Sequence, residues 1–128
     1  MKERYLIDTD VLIDYFKGNP KAIKFLENPD IAILISAITV AELFAGVREG
    51  HERDKIESFI SAFEFLPLTL EISKIGGLLK RDYGKSHGLG LADSLIAATS
   101  IITESTLITL NTKHFKMIKD VKAPYSKS

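Results

Sequence analysis

The sequence contains no cysteine and no tryptophan, and it has no net charge because 17 basic residues balance 17 acidic ones. The lack of cysteine excludes a small fold held by disulfides and a cysteine-ligated zinc site. The composition, with 45% hydrophobic and 27% charged residues, also excludes a disordered or collagen-like chain. It is typical of a globular protein, and we expect one domain over residues 1–128.

Long hydrophobic runs are also missing. The longest stretch without a charge, 31–41, is too short to cross about 30 Å of hydrocarbon as a helix. Residues 1–8 include Lys2, Glu3 and Arg4, so they lack the apolar segment of a signal peptide. We therefore expect a soluble, cytoplasmic protein.

Charge is distributed unevenly along the chain. Residues 1–64 hold 12 acidic and 8 basic residues, whereas residues 65–128 hold 5 and 9. Part of the basic excess is a row of lysines spaced three apart: Lys113, Lys116, Lys119 and Lys122. Such a row is either a solvated face or an edge that contacts nucleic-acid phosphates.

Apolar periodicity predicts strands that alternate with helices. Strands are expected at 5–7, 31–38, 65–68, 106–110 and, as a short last strand, 117–121. Helices are expected at 11–16, 21–27, from Thr39 onward, 52–65, 69–83 and 91–103, with a glycine-rich loop at 84–90 and a turn at 111–114. This order is typical of an α/β fold with a parallel sheet of four to five strands and helices on both faces.

Three carboxylates stand where surface acids are uncommon. Asp8 ends an apolar strand, and Glu42 and Asp93 each lie in an otherwise uncharged stretch. Acidic side chains are rarely buried without a partner, so each must reach solvent, a donor or a cation. Asp8 and Asn111, which both follow strands, are expected at the carboxyl rim of the sheet, where α/β proteins bind ligands.

Each acid also has a purely structural interpretation. Asp8 or Asp10 would serve as the N-cap of the first helix, and Glu42 would complete a capping box with Thr39. Asp93 has no such cap partner. If the three acids converge, their oxygens suit Mg²⁺ or Mn²⁺ rather than zinc, and the site would act on phosphate esters.

Four segments resemble the motifs of the PIN domain family and, within it, of the VapC-type toxins of toxin–antitoxin pairs. They are Leu6–Ile13, Thr39–Leu43, Gly90–Ala98 and Leu107–Phe115. The first two are weak signals alone, but four in this order over almost the whole chain are specific. The fourth segment departs from the family, which often has acids where Asn111 and His114 stand, so a second metal ion is less well supported. Asp10 is a nearby source of the missing charge.

The resemblance implies an Mg²⁺- or Mn²⁺-dependent endoribonuclease that leaves a 5′-phosphate and a 3′-hydroxyl. Asp8, Glu42 and Asp93 would be the metal ligands, and these three with Asn111 would be the catalytic residues. Further expected contributors are Thr9, Ser94 and Thr109, as donors to carboxylates or phosphate, and Lys113 and His114, as phosphate contacts; His114 is alternatively a plain turn residue.

The resemblance also implies partners: an RNA substrate, a cognate antitoxin protein that blocks the acidic site with an Arg or Lys, and a second copy in a homodimer. The helical hairpin 39–65 is a candidate antitoxin surface, although its residues Phe44, Phe59 and Phe63 are equally interpretable as core.

Two other functions stay open from the sequence. One is a PIN-fold module that binds RNA or a partner without cutting it, which the loss of the fourth acid favours. The other is a receiver-like phosphoacceptor, which shares the length, the parallel sheet and the use of Mg²⁺. That class needs its acids at strand ends, whereas Glu42 and Asp93 are predicted in helices.

Overall fold

A computed structural model describes residues 2–126, and its centre is a five-stranded parallel sheet in the order β3-β2-β1-β4-β5. The strands are β1 (Glu3–Ile7), β2 (Ile31–Ser36), β3 (Glu64–Leu66), β4 (Thr106–Ile108) and β5 (Val121–Lys122). The helices are α1 (Thr9–Phe16), α2 (Pro20–Leu26), α3 (Ala37–Ala45), α4 (His51–Ser61), α5 (Leu70–His87) and α6 (Leu91–Ile102), with a 3₁₀ turn at Thr112–Phe115. The predicted α/β class is confirmed.

Alternation along the strands divides the core into two layers. Tyr5 and Ile7 of β1 face one cluster, which also takes apolar side chains from helices α1 to α4, and Leu6 faces a second cluster with residues of α6 and the 3₁₀ turn. Both faces of the sheet are therefore covered, as parallel sheets require. Among the described residues, no helix is long and apolar enough to cross a membrane.

The phenylalanines of the α3–α4 hairpin belong to the first layer. Phe44, Phe59 and Phe63 are half-buried and pack against that cluster. Phe59 also lies 4.6 Å from Phe63 and 5.1 Å from Phe16 between ring centroids. Of the two interpretations given above, the structure supports core packing.

Several predicted boundaries are wrong. Strand β2 ends at Ser36 because the Ser36 hydroxyl accepts from Thr39 N and caps α3, so the predicted Thr39–Glu42 capping box does not form. The 84–90 loop is mostly helix: α5 continues to His87 and ends at Gly88, whose φ of 66° is the left-handed conformation that closes helices. Smaller differences concern three other elements. Helix α4 ends at Ser61 instead of 65, strand β4 ends at Ile108 instead of 110, and the last strand lies at Val121–Lys122 instead of 117–121.

Glycines inside α5 have a packing reason. A Cβ added at Gly76 would lie 2.5 Å from Leu95 Cδ2 and 3.2 Å from Leu95 Cα, so α5 and α6 approach closely only because this residue has no side chain. At Gly77 an added Cβ would meet nothing within 4 Å. This contact between helices explains why a helix forms through a Gly-Gly pair that local propensity disfavours.

The row of four lysines does not form one edge. Lys113 lies on the 3₁₀ turn and Lys116 follows it, beside the carboxyl ends of the strands. Lys119 lines a separate hollow with Glu104 and Asp120, before β5, and Lys122 donates to the Tyr5 hydroxyl at 3.0 Å. The interpretation of these lysines as a single phosphate-contacting edge is therefore wrong.

Candidate active site

Asp8 lies where the strand order reverses. It follows β1, whose neighbours β2 and β4 lead to opposite halves of the sheet, and its backbone N–H donates to Ile108 O at 2.9 Å. Such a switch point at the carboxyl end of parallel strands is where open α/β sheets bind ligands. Asp8 Oδ1 accepts from Thr9 N at 2.8 Å, so the residue is the N-cap of α1 as well. Its other oxygen, Oδ2, accepts from the Thr109 hydroxyl at 2.8 Å.

Glu42 approaches Asp8 from the second turn of α3. The Thr9 hydroxyl donates to Glu42 Oε1 at 2.6 Å and lies 3.1 Å from Thr39 Oγ1, which in turn lies 3.2 Å from Ser36 Oγ. A hydroxyl has a single hydrogen, and that of Thr9 is donated to Glu42. The contacts of Thr9 with Thr39 and of Thr39 with Ser36 then order the three hydroxyls relative to one another. A buried chain of three hydroxyls thus fixes the orientation of Glu42.

Asp93 completes the group from the first turn of α6. The helix begins after Gly90, and the carboxylate is 36% exposed. Its Oδ2 lies 4.0 Å from His114 Nδ1, the closest charged contact found for it. Ser94, predicted to donate to a carboxylate or phosphate, instead donates to Gly90 O at 2.8 Å, because a helical serine readily bonds the carbonyl four residues back.

Asp10 and Asn111 come from α1 and from the segment after β4. Asp10 does not cap α1; its Oδ2 accepts from Leu110 N at 3.1 Å and lies 3.4 Å from Thr109 Oγ1. It therefore ties the segment that carries Asn111 to the first turn of α1. Asn111 N donates to the Thr109 hydroxyl at 3.1 Å, which holds this residue at the rim.

These side chains share one cavity of about 260 Å³. Its walls are Asp8, Thr9, Asp10, Ile13, Glu42, Asp93, Asn111 and Phe115. Every ionisable group on these walls is a carboxylate. All four residues predicted as catalytic, Asp8, Glu42, Asp93 and Asn111, are on these walls. Thr9 and Asp10 are the two further polar residues.

The crowding of carboxylates perturbs their ionisation. Burial raises the pKa of Asp8 from 3.8 to about 7, and the charges of Asp10 and Asp93 raise it too, while hydrogen bonds from Thr109 and Thr9 lower it. Asp8 is only 6% exposed. Without positive charge in the cavity, the carboxyl therefore loses its proton only as the pH approaches neutrality.

Asp93 is perturbed in the same direction. Burial raises its pKa first, the charge of Glu42 raises it further, and His114 lowers it. The charge of Glu42 acts on Asp93 and that of Asp93 acts on Asp8, so the acids raise one another's pKa. Carboxylates with perturbed pKa values that lie together in a cleft mark a candidate functional site.

The donors fit a hard divalent cation by their chemistry. Carboxylate and amide oxygens with no lysine or arginine among them suit Mg²⁺ or Mn²⁺, and such a cation would relieve the repulsion that raises the Asp8 pKa. Across residues 2–126, no three His, Asp or Glu side chains form a ready-made set of metal ligands. Glu42 Oε1 accepts from Thr9 and Asp8 Oδ2 accepts from Thr109, so a threonine hydroxyl holds each of these two carboxylates in place.

The sequence predicts the acids of the cavity better than it predicts the hydroxyl groups that hold them in place. Thr9 and Thr109 were expected as donors, and the structure shows which carboxylate each serves. Ser36 and Thr39 were not expected behind Glu42, because their contribution depends on how α3 packs beside α1. The strand-to-helix junction after Ser36, a preferred N-cap residue type, was the available signal.

The family model described as PIN domain matches residues 5–120. The chain is 41% identical over 124 residues to "Ribonuclease VapC19" of Mycobacterium tuberculosis, an alignment that covers 94% of this chain and 98% of that one. The chain belongs to the PIN domain family, among its VapC-type members.

Solved structures agree on the fold. A toxin–antitoxin complex from Klebsiella pneumoniae matches with a TM-score of 0.82 at 33% identity, over 95% of this chain and 98% of that one. VapBC2 from Rickettsia felis, bound to a DNA fragment from its promoter, matches with a TM-score of 0.75 at 27% identity, over 94% and 98%. The receiver-like alternative is therefore excluded, as the helical positions of Glu42 and Asp93 already indicated.

Proposed function

We propose that this protein is the toxin of a toxin–antitoxin pair and that it is a metal-dependent endoribonuclease. The observation that carries the proposal is the cavity at the switch point of the sheet, whose ionisable side chains are all acids. Family membership supports the activity, because relatives with 41% and 36% identity are named ribonucleases. The acidic cavity supports the metal dependence.

In this proposal Asp8, Glu42 and Asp93 hold the cation. When bound, Mg²⁺ or Mn²⁺ would make a water molecule easier to deprotonate and would place positive charge against the phosphodiester. The chain's own contribution is orientation. Thr109 fixes Asp8 through Oδ2, and Thr9 fixes Glu42 through Oε1, so neither carboxylate is free to rotate away from the substrate.

Asn111 has a different role from the acids. An amide contributes an oxygen without charge and also a donor, so Asn111 is suited to hold a water molecule or a phosphate oxygen. Its place at the cavity wall, fixed through Thr109, puts that donor beside the carboxylates. The substrate phosphate would then meet one neutral group and several anionic groups. Because the anionic groups repel the phosphate, its binding would require the cation.

An antitoxin has a surface on which to bind. An apolar groove of about 380 Å³ runs between α1, α3 and α4, with Ile13, Phe16, Leu43, Gly46 and Ile56 among its walls and Lys17 and Lys55 among its polar residues. Ile13 and Glu42 line both this groove and the acidic cavity. An antitoxin segment seated in the groove would therefore carry a basic side chain directly to the carboxylates. Dimerisation of the toxin stays a prediction.

The test is RNA cleavage by the purified, antitoxin-free protein in Mg²⁺ or Mn²⁺, beside Glu42→Gln and Asp93→Asn. Both variants remove one charge with little change in shape, and we expect each to lose cleavage by at least about a hundredfold. The matched controls are Glu71→Gln on α5 and Asp120→Asn before β5, which are exposed and lie outside the cavity.

Two results would contradict the proposal. Equal cleavage by Glu42→Gln, Asp93→Asn and the parent would show that the acids do not act in the reaction. Growth arrest on expression that persists in Asp93→Asn, with no cleavage of RNA by the parent, would favour the alternative of a PIN-fold binding module without nuclease activity.

A further inference from the structure

His114 occupies a fixed position beside the acidic cavity. Its backbone N–H donates to Asn111 O at 3.1 Å, and the next residue, Phe115, is 1% exposed and anchors the 3₁₀ turn in the core. The His114 side chain is 40% exposed, yet its Nδ1 atom is buried. The side chain therefore has its Nδ1 atom buried near Asp93 while the ring is partly exposed to solvent.

The buried nitrogen has no hydrogen-bond partner within residues 2–126. Asp93 Oδ2 lies 4.0 Å from this nitrogen, which is too long for a hydrogen bond. Leaving a buried polar atom without a partner is unfavourable, so such atoms are rare and usually face an ion, a water molecule or a reacting group.

A shared cation accounts for this spacing. Two ligand atoms of one octahedral ion, each about 2.1 Å from it, lie about 3 Å apart when adjacent and about 4.2 Å apart when opposite. The 4.0 Å between Nδ1 and Oδ2 is close to the separation of opposite ligands. The neutral imidazole tautomer that presents a lone pair at Nδ1 leaves its proton on Nε2.

We propose that His114 adds, through Nδ1, a nitrogen ligand to the oxygen ligands of the site, and that this ligand makes the protein prefer Mn²⁺ to Mg²⁺. The inference rests on the proposed function, since it requires a divalent cation in the acidic cavity. Mg²⁺ selects oxygen ligands, whereas imidazole nitrogen favours transition metals. A carboxylate at this position would instead add an oxygen ligand, a type that suits both Mg²⁺ and Mn²⁺.

The experiment is pulsed EPR of the full-length protein loaded with one equivalent of Mn²⁺, which detects nitrogen nuclei bound directly to the metal. The chain has only three histidines, so the signal can be assigned by substitution. We expect nitrogen coupling in the parent and in His87→Ala, and its loss in His114→Ala and His114→Asp. His87 lies at the end of α5, where its Nδ1 is 2.7 Å from Ser86 Oγ.

Calorimetry with Mn²⁺ and Mg²⁺ gives a second measurement. His114→Ala should weaken Mn²⁺ binding by about tenfold or more and change Mg²⁺ binding much less. His114→Asp should bind Mg²⁺ and Mn²⁺ without the preference for Mn²⁺, and far-UV circular dichroism checks that both variants are folded.

The outcomes separate this inference from the function on which it rests. Stoichiometric Mn²⁺ binding without nitrogen coupling in the parent would overturn the role of His114 and leave the proposed nuclease intact. A parent that binds no Mn²⁺ and no Mg²⁺ would overturn the metal dependence and this inference together.

Discussion

Replacing Asp8 by asparagine should stabilise the metal-free protein while it destroys the activity. The carboxyl is 6% exposed, and its pKa rises from 3.8 to about 7 in the folded state. An acid with a raised pKa retains its proton longer in the folded state than in the unfolded one. It therefore favours folding below about pH 4, and this contribution is lost as the pH rises to about 7.

The magnitude follows from the same shift. A difference of about three pH units corresponds to about 4 kcal/mol against folding at pH 8 when no metal is bound. Asparagine removes this cost because it carries no charge. It also keeps the cap on α1, since its oxygen accepts from Thr9 N and asparagine is a good N-cap.

The second hydrogen bond of Asp8 can be rearranged. The asparagine amide would donate to Thr109 Oγ1, whose own hydrogen would turn to Asp10 Oδ2, 3.4 Å away in the parent. We therefore expect Asp8→Asn to exceed the parent by about 2–4 kcal/mol at pH 8 and by about 1 kcal/mol at pH 4.5. RNA cleavage and Mn²⁺ binding should both fall sharply.

Urea denaturation in EDTA at pH 4.5, 6 and 8 measures the effect, with Asp120→Asn as a control for the loss of an exposed charge. Saturating Mn²⁺ should stabilise the parent at pH 8 and not the variant. The reasoning is refuted if the parent and Asp8→Asn show the same dependence of stability on pH, or if the variant is the less stable of the two at pH 8.

The remaining predictions concern three other contacts. Gly76→Ala should lower stability by about 1–2 kcal/mol because its methyl group meets Leu95, whereas the neighbouring Gly77→Ala should raise it by up to about 1 kcal/mol through helix propensity; thermal or urea unfolding of the pair checks both. Thr109→Val removes the donor to Asp8 Oδ2 and should move the pH of half-maximal cleavage upward by about one unit, measured as a pH–rate profile at saturating metal. A Cβ added at Gly46 would meet nothing within 4 Å, so Gly46→Leu would project its side chain from the wall of the groove. Antitoxin affinity measured by calorimetry should then fall at least about tenfold, while RNA cleavage by the free toxin is unchanged.

The fold was largely predictable because strands and helices alternate with clear apolar periods. What failed was local. The loop expected at 84–90 is helix up to His87, because the glycines there favour a loop more strongly than the apolar pattern favours a helix. The packing reason for Gly76 could not be predicted either, because its contact residue, Leu95, is distant in the sequence. The acids of the site were predictable because charge inside an apolar stretch needs a partner. The hydroxyls behind Glu42 were not, because Ser36 and Thr39 look like ordinary cap and helix residues until α1 brings Thr9 against them.

Asp8 shows why the structural and functional interpretations of one residue need not compete. In a parallel sheet each strand leads to a helix at the same rim, so the N-cap of that helix stands at the place where ligands bind. Ser36, which caps α3 after β2, and Asp8, which caps α1 after β1, both meet this condition. Asn19 caps α2 after another helix, is not at a strand end, and lies outside the acidic cavity. A serine or asparagine would cap α1 as well as Asp8 does, without burying a charge whose pKa is raised to about 7. The cap therefore explains the position of the residue, and the proposed cation would explain why it is an acid.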